Sequence, residues 1–373
     1  MALSCAQHKA FIYDRGGERK LLELEPLTRV RWERLRDDIS SATAYVAAAS
    51  QECAEKLVLA EAGRVELVIF RDNERVWEGP VTHVAFQGDS VEITAKDLMY
   101  YAYRTIIRHE YDNRHPNTTK VLQRVDRVLT AEMARKEALV PKINFLENVS
   151  FIYASSEGVT DARTTSRILP YETTVFEHID NFAARGGIDY TVVGRRVLFF
   201  DVHQKIGQTP MVTRDDFLAD PIITQYGSEL ATQVAMTDGK GHFAVAGEVD
   251  PYYGEWEVLH QAYDEDAEAT GEEPPSVEEM MSQAQRVYVQ GHLPPLVVRV
   301  PENTGLNPNG VLDIADLVPG VWIPLSASLP GRTLTQMQKL DNMSVEETAE
   351  SGEVITVTLS PAPDEKQIDE EEE

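Results

Sequence analysis

Apolar and polar positions alternate most regularly over residues 63–106, GRVELVIFRDNERVWEGPVTHVAFQGDSVEITAKDLMYYAYRTI. Val65, Leu67 and Ile69 alternate with Glu66 and Val68, Asp72-Asn73 supplies turn residues, and Val76-Trp77 opens a second run, which together predict a hairpin. Gly79-Pro80 is expected to bend the second strand, because proline donates no ladder hydrogen bond; Val81, Val84 and Phe86 continue it to a turn at Gly88-Asp89. Val91 to Thr94 then reads as a third strand. At Asp97 the period changes: Leu98, Tyr101 and Thr105 lie three and four apart, so a carboxylate is expected to cap a helix laid against the sheet.

The same reading extends in both directions. Phe11-Ile12-Tyr13 turns at Arg15-Gly16-Gly17 into Leu21 to Leu24, and Leu27 to Leu35 alternates arginine with Val, Trp and Leu. Residues 42–49 are small and fit a strand or a short helix equally. Asn117-Thr118 opens a helix with Leu122, Val125, Leu129 and Met133 on one stripe, and residues 140–170 read as irregular. Val175, Ile179, Phe182 and Ala183 predict a second amphipathic helix, ended by Gly186-Gly187; Ile188 to Val192 and VLFFDV then form a hairpin about Gly194-Arg195. Ala231 to Met236 is a strand. Ser276 and Glu279 form a capping box for a helix over 276–289, and Leu296–Val300, Val321–Leu325 and Val354–Leu359 are further strands.

These elements predict a mainly β, α+β chain with two small antiparallel β-barrel or sandwich domains and an inserted α/β domain. The expected boundaries are 1–100 for the first barrel, 101–205 for the insert, 206–360 for the second barrel, and 361–373 for an acidic disordered tail. A length of 373 residues exceeds the ~250–300 at which one core stops growing. No apolar run approaches the ~20 residues of a membrane span, and the first residues lack the basic and apolar regions of a signal peptide, so a soluble chain used without Sec export is expected. Cys5 and Cys53 form no C-x-x-C pair and are expected to be free or buried thiols.

Charge narrows the function. The net charge is −27, with eight acids and no base in residues 262–279, and seven acids against one lysine in residues 361–373. Such a surface repels phosphates, which disfavours a DNA- or RNA-binding enzyme but suits a passage through which DNA slides. Arg29, Arg31, Arg34 and Arg36 surround Trp32, yet Glu33, Asp37 and Asp38 lie among them, so the cluster is read as a salt-bridged strand face or a subunit contact in preference to a phosphate site.

Catalytic chemistry finds little support. His109, Glu110, Asp112 and His115 make the best metal-like group, but H-E-x-x-H needs its histidines four apart on one helical face; these are six apart across a loop broken by Pro116, and a solvated turn is favoured. Gly239, Gly241 and Ala244 match a loose dinucleotide fingerprint, but FAVAGEVDPYYG cannot supply the helix whose N-terminus would face a pyrophosphate, so a hairpin turn is the better account. No G-x-S-x-G elbow or P-loop occurs. No catalytic residue, cofactor site or metal site is assigned.

Three segments together resemble one family. VWEGPV followed by FQGDSVEITAKDLMYY resembles the first barrel of tailed-bacteriophage baseplate-hub, or minor tail, proteins; TTVFEHIDNFAARGGIDYTVVGRRVLFFDV is similar to their inserted α/β domain, and LDIADLVPGVWIPL through VITVTLSP to their second barrel. The resemblance lies nearest the minor tail proteins of long-tailed phages of actinobacteria. It implies a non-enzymatic homotrimer at the virion tail tip, whose two barrels per chain form a pseudo-sixfold ring matching the hexameric tail tube. Implied partners are the distal tail protein, the tape measure protein and tail-tip or fibre proteins, with DNA and tape measure passing through the lumen and no membrane span. The alternatives are a distal tail or receptor-binding adsorption protein, or a metal-dependent hydrolase using His109, Glu110 and His115.

Overall fold

The computed structural model describes residues 6–48, 55–111, 121–139, 149–154, 167–184, 188–225, 230–251, 253–262, 275–291, 296–329, 332–348 and 350–362. The chain groups into two compact units. One comprises Met1–Asp220, Val300–Pro324 and Gln338–Ser360; the other comprises Pro221–Arg299, Leu325–Met337 and Pro361–Glu373. Cys5, Cys53, Asn117-Thr118, Gly186-Gly187 and the acidic stretches 263–274 and 363–373 lie outside the described residues. Among the described residues no helix is long and apolar enough to cross a membrane.

The first unit begins with β1 (His8–Asp14), β2 (Lys20–Glu23), β3 (Leu27–Leu35), β4 (Ser41–Ala47), β5 (Val65–Arg71), β6 (Glu74–Gln87) and β7 (Ser90–Lys96). Residues 41–47, open between strand and helix in the sequence, are a strand because Ala42, Ala44 and Val46 point inward at period two and are buried. Asp72 and Asn73 sit at φ 49° and 70°, the left-handed pair that a tight two-residue hairpin turn requires. Strand β6 passes through Gly79-Pro80 without ending, with a register shift just beyond, between Val81 and His83. Glycine is obligatory there: a Cβ on Gly79 would lie 1.8 Å from the Lys96 carbonyl oxygen.

The expected helix after Asp97 is the short α1 (Met99–Tyr103). Beyond it lie α2 (Val121–Leu139), β8 (Ser150–Ala154), α3 (Val175–Ala184), β9 (Asp189–Val193) and β10 (Arg196–Phe200). The stripe Leu122, Val125, Leu129 and Met133 is buried with Val175, Ile179, Phe182, Tyr190, Val197 and Phe199 in one apolar core. Each such side chain contributes about 1.5–3 kcal/mol by leaving water. Strands β9 and β10 pair antiparallel as the expected hairpin, while Ser150–Ala154, read as irregular, adds a third strand parallel to β10. Parallel pairing to a strand 46 residues away leaves no local signal in the sequence.

Strands β11 (Val212–Thr213), β17 (Thr304–Gly305), β18 (Trp322–Leu329), β19 (Arg332–Thr348) and β20 (Gly352–Pro361) complete the large sheet, in the order β11-β18-β19-β3-β4-β7-β6-β5-β1-β2 with β20 and β17 branching from β19. The N-terminal and C-terminal strand groups are joined directly. Strand β19 pairs antiparallel with β3 from Asn342↔Leu35 to Thr348↔Arg29, so strands expected in two separate barrels run through one hydrogen-bonded sheet. Arg29 seals the seam by an ion pair to Glu346 at 2.9 Å.

The second unit has β12 (Ile222–Gln225) paired with β16 (Leu296–Arg299), and β13 (Gln233–Thr237) between β14 (Phe243–Gly247) and β15 (Glu257–Gln261). Helix α4 (Val277–Gly291) buries Met280 and Ala284 against Val234, Met236, Ala244 and Ala246. Its capping box is formed as expected: the Ser276 amide donates to Glu279 Oε2 at 2.8 Å, and the Glu279 amide to Ser276 Oγ at 3.2 Å.

Candidate functional site

The two described members of the metal-like group, His109 and Glu110, do not converge. His109 Nδ1 lies 2.7 Å from Glu132 Oε1 on α2, whereas Glu110 takes the exposed Arg167 through the guanidinium Nε at 2.9 Å. Asp112 and His115 lie outside the described residues. Glu132 is fully buried and already holds Arg135 Nε at 2.8 Å together with the backbone amides of Arg108 and His109. Burial alone would raise its carboxyl, but Arg135 and His109 hold it below the usual carboxylate range. This is a helix-to-loop fastening. Among the described residues no group of three or more His, Cys, Asp or Glu side chains is arranged to hold a metal ion.

The glycines of the dinucleotide-like segment also act structurally. Gly239 and Gly241, at φ 68° and 107°, form the turn between β13 and β14, and no helix follows. Asp238 organises the turn by accepting the Lys240 amide at 2.8 Å and His242 Nδ1 at 2.7 Å, which hold its carboxyl at about 2.

The most concentrated electrostatics lie in three buried ionic junctions of the first unit. In one, Arg36 at the end of β3 donates to Asp189 Oδ2 at 3.1 Å and to Asp341 Oδ1 at 2.5 Å. Lys339 from β19 donates to the same Asp189 carboxylate and, at 2.8 Å, to the Val202 carbonyl. Burial would raise Asp189, but Lys339 and Arg36 hold it below its ordinary value. Asp37 is pushed up by burial first and then by the Asp189 carboxylate, while its Oδ1 accepts the Tyr190 amide at 2.8 Å.

The second junction is built on Arg195, in the turn between β9 and β10. Its Nη1 donates to Glu66 Oε2 at 2.7 Å and Glu78 Oε2 at 3.0 Å, both carboxylates being buried on β5 and β6. Tyr101 from α1 donates its hydroxyl to Glu66 Oε1 at 2.7 Å, and Arg75 approaches Glu78 at 3.1 Å. The third gathers β1, β3, β5, β19 and β20. Trp32 Nε1 donates to His8 Nε2 at 3.1 Å, so His8 carries its proton on Nδ1, 2.5 Å from Glu347; Arg71 grips Glu353 with two hydrogen bonds at 2.6 and 2.9 Å.

The arginine-rich strand β3 is thus explained without phosphate. Trp32 is fully buried, Arg29 and Arg36 form ion pairs, and the buried Arg34 donates to the carbonyls of Leu317 and Val76, each at 3.2 Å. Sequence reading anticipated the salt-bridged face but not the buried acids Glu66, Glu78 and Asp189. The available signal was a carboxylate at an inward position of an otherwise apolar strand, as in VELVIF. Chemically, these groups form mutually neutralised pairs that lock separate elements together; they present no open nucleophile with a neighbouring base.

No family model matches the sequence, and no curated protein matches it. Solved structures do. The chain is similar to the 43 kDa tail protein of prophage MuSo2 from Shewanella oneidensis, with a TM-score of 0.56 at 11% identity over 95% of this chain and 98% of that one. It is similar to a tail protein from Neisseria meningitidis, with a TM-score of 0.55 at 10% identity over 94% and 96%. It is also similar to the prophage tail protein gp18 from Listeria monocytogenes, with a TM-score of 0.59 at 10% identity over 97% of both chains. None of the three is described as a protein of an actinobacterial phage. At these identities the shared property is the fold: this chain has, nearly end to end, the fold of these three tail proteins.

Proposed function

We propose that this chain is a structural baseplate-hub, or minor tail, protein at the tip of a phage tail. In this reading three copies form a ring that joins the hexameric tube and distal tail protein to the tip, with DNA and the tape measure protein passing through it. The observation that carries the reading is the fold correspondence with tail proteins, two of them from prophages, over 94–97% of this chain. The ionic junctions accord with a structural role, because Arg36, Asp189, Lys339, Arg195, Glu66, Glu78, Arg71 and Glu353 are engaged in holding strands and helices together.

Two barrels per chain, bounded near residues 100, 205 and 360, belong to this proposal; in it, the observed pairing of β3 with β19 would join strands of both barrels into one sheet. The acidity belongs to it as well: a lumen lined by a chain of net charge −27 repels DNA phosphates and so keeps the passage from binding its cargo. The hydrolase alternative draws less support, since His109 and Glu110 engage different partners.

Native mass spectrometry of the purified protein at micromolar concentration, paired with proteomics of purified virions, tests the reading. A trimer present in virions in multiples of three is expected. A monomer absent from virions overturns the proposal, and a ring of six reassigns the chain to the distal tail position.

A further inference from the structure

In a chain of net charge −27, one face of the first unit gathers arginines and a lysine around exposed aromatic and aliphatic side chains. It is assembled from segments distant in sequence: the end of α1 with the residues after it, the C-terminal part of α2, and the segment before α3. Tyr103, Ile106, Leu169 and Tyr171 are exposed at 42%, 46%, 44% and 68%. They are neighbours. Ile106 bridges to Thr174, the Tyr171 amide donates to the Ile107 carbonyl at 2.8 Å, and Tyr103 meets Phe176 edge-on at 6.0 Å between ring centroids.

Cations surround these side chains. Arg108 lies over the Tyr171 ring at 5.9 Å, Arg135 Nη2 donates to the Ile106 carbonyl at 3.2 Å, and Lys136 Nζ donates to the Arg104 carbonyl at 2.6 Å and to Thr105 Oγ1 at 3.0 Å. Burial first, and then the positive charges of Arg135, Arg104, Arg15 and Arg108, lower the Lys136 ammonium to about 8. Nearby carboxylates are engaged within the chain: Glu132 by Arg135 and His109, Glu172 by the Leu169 amide, Glu177 by the Thr174 amide, and Glu110 by Arg167. Among the described residues, no carboxylate lies within ion-pair distance of Arg104 or Arg108.

We propose that this face docks the acidic segment 363–373 of a second copy of the chain, an inference that rests on the trimer reading. Charge complementarity selects the occupant: PDEKQIDEEEE carries seven acids and one lysine, and its single large apolar residue, Ile368, suits a face of exposed aromatic and aliphatic side chains. A long polyanion such as duplex DNA fits less well, because beyond the cationic face it meets the rest of a strongly acidic surface. Face and segment are different parts of the chain, so their contact is heterologous, and repeated from copy to copy it closes a ring.

The test uses the protein ended at Ala362 and a fluorescent peptide of residues 363–373, followed by anisotropy. Salt-sensitive binding is expected, weakened about tenfold or more by R104E/R108E, whose exposed positions leave the melting temperature unchanged. Binding that is equal in the variant, or matched by a 13-nucleotide single strand, overturns the proposal. Carbodiimide cross-linking of mixed 15N-labelled and unlabelled full-length protein is expected to join acidic residues of one copy to lysines of the other; links confined to single copies overturn the second-copy assignment. Failure to bind the peptide by a protein whose full-length form is trimeric removes this contact and leaves the hub reading standing. A full-length protein that is monomeric removes the hub reading whatever the peptide does.

Discussion

Arg195 Nη1 donates to Glu66 Oε2 at 2.7 Å although the two residues are 129 positions apart, and this bond fastens the β9–β10 turn to the inside of β5. Both carboxylates it serves, Glu66 and Glu78, are withdrawn from water. Arg195→Met is therefore expected to cost about 3–5 kcal/mol, because it strands buried negative charge. Urea unfolding of the variant measures this. The triple change that also converts Glu66 and Glu78 to Gln is expected to recover part of the loss, since neutral amides are far less costly to bury.

Asp97 gives a pH signature. Its carboxylate accepts the Ser40 amide at 2.6 Å and the Met99 amide at 2.9 Å, and burial pushes it up to about 7. A carboxyl whose folded value exceeds its unfolded value near 3.8 stabilises the fold most when both states are protonated. That contribution is lost as pH rises from about 4 through 7. Relative to Asp97→Asn, the wild type is expected to lose on the order of 2 kcal/mol between pH 4.5 and 8, read from urea midpoints at each pH.

Gly79 and Gly88 separate two uses of glycine. Gly79→Ala places a methyl group against the Lys96 backbone and is expected to cost more than about 3 kcal/mol, or to prevent soluble expression. Gly88→Ala meets open space but keeps a φ of 57°, so a loss of only about 1 kcal/mol is expected. Thermal melts of the two variants make the comparison.

His109→Ala removes one of several partners of Glu132 from an exposed position and leaves Arg135 in place. A loss of about 1 kcal/mol or less is expected, with no change in bound transition metal by elemental analysis. Stoichiometric metal lost in this variant would reinstate the metal-centre reading.

What the sequence disclosed follows from the range of each interaction. Hairpins such as Val65–Gln87, the α2 stripe and the Ser276–Glu279 box depend on neighbours within a few residues, and their periodicity or capping chemistry is visible locally. The strand Ser150–Ala154 beside β10 was hidden because a parallel partner imposes no turn signal. Glu66 looked like the outward position of an alternating strand; its burial is set by Arg195 and Tyr101, which no local pattern connects to it. The arginines of β3 were legible as a paired face, whereas the cationic patch required three segments to be brought together by the fold. His109 and Glu110 show the converse: nearness in sequence did not bring them to a common point.

The β3–β19 seam also bears on biosynthesis. Because Val30 and Trp32 pair with Glu347 and Val345, the open margin of the N-terminal strand group waits for a partner made more than 300 residues later. A ribosome adding about 5–20 residues per second leaves that margin unprotected for about 15–60 seconds, a window in which strand exchange with other nascent chains competes with correct closure. The chain's abundant negative charge, by keeping nascent copies apart, would then guard its own synthesis.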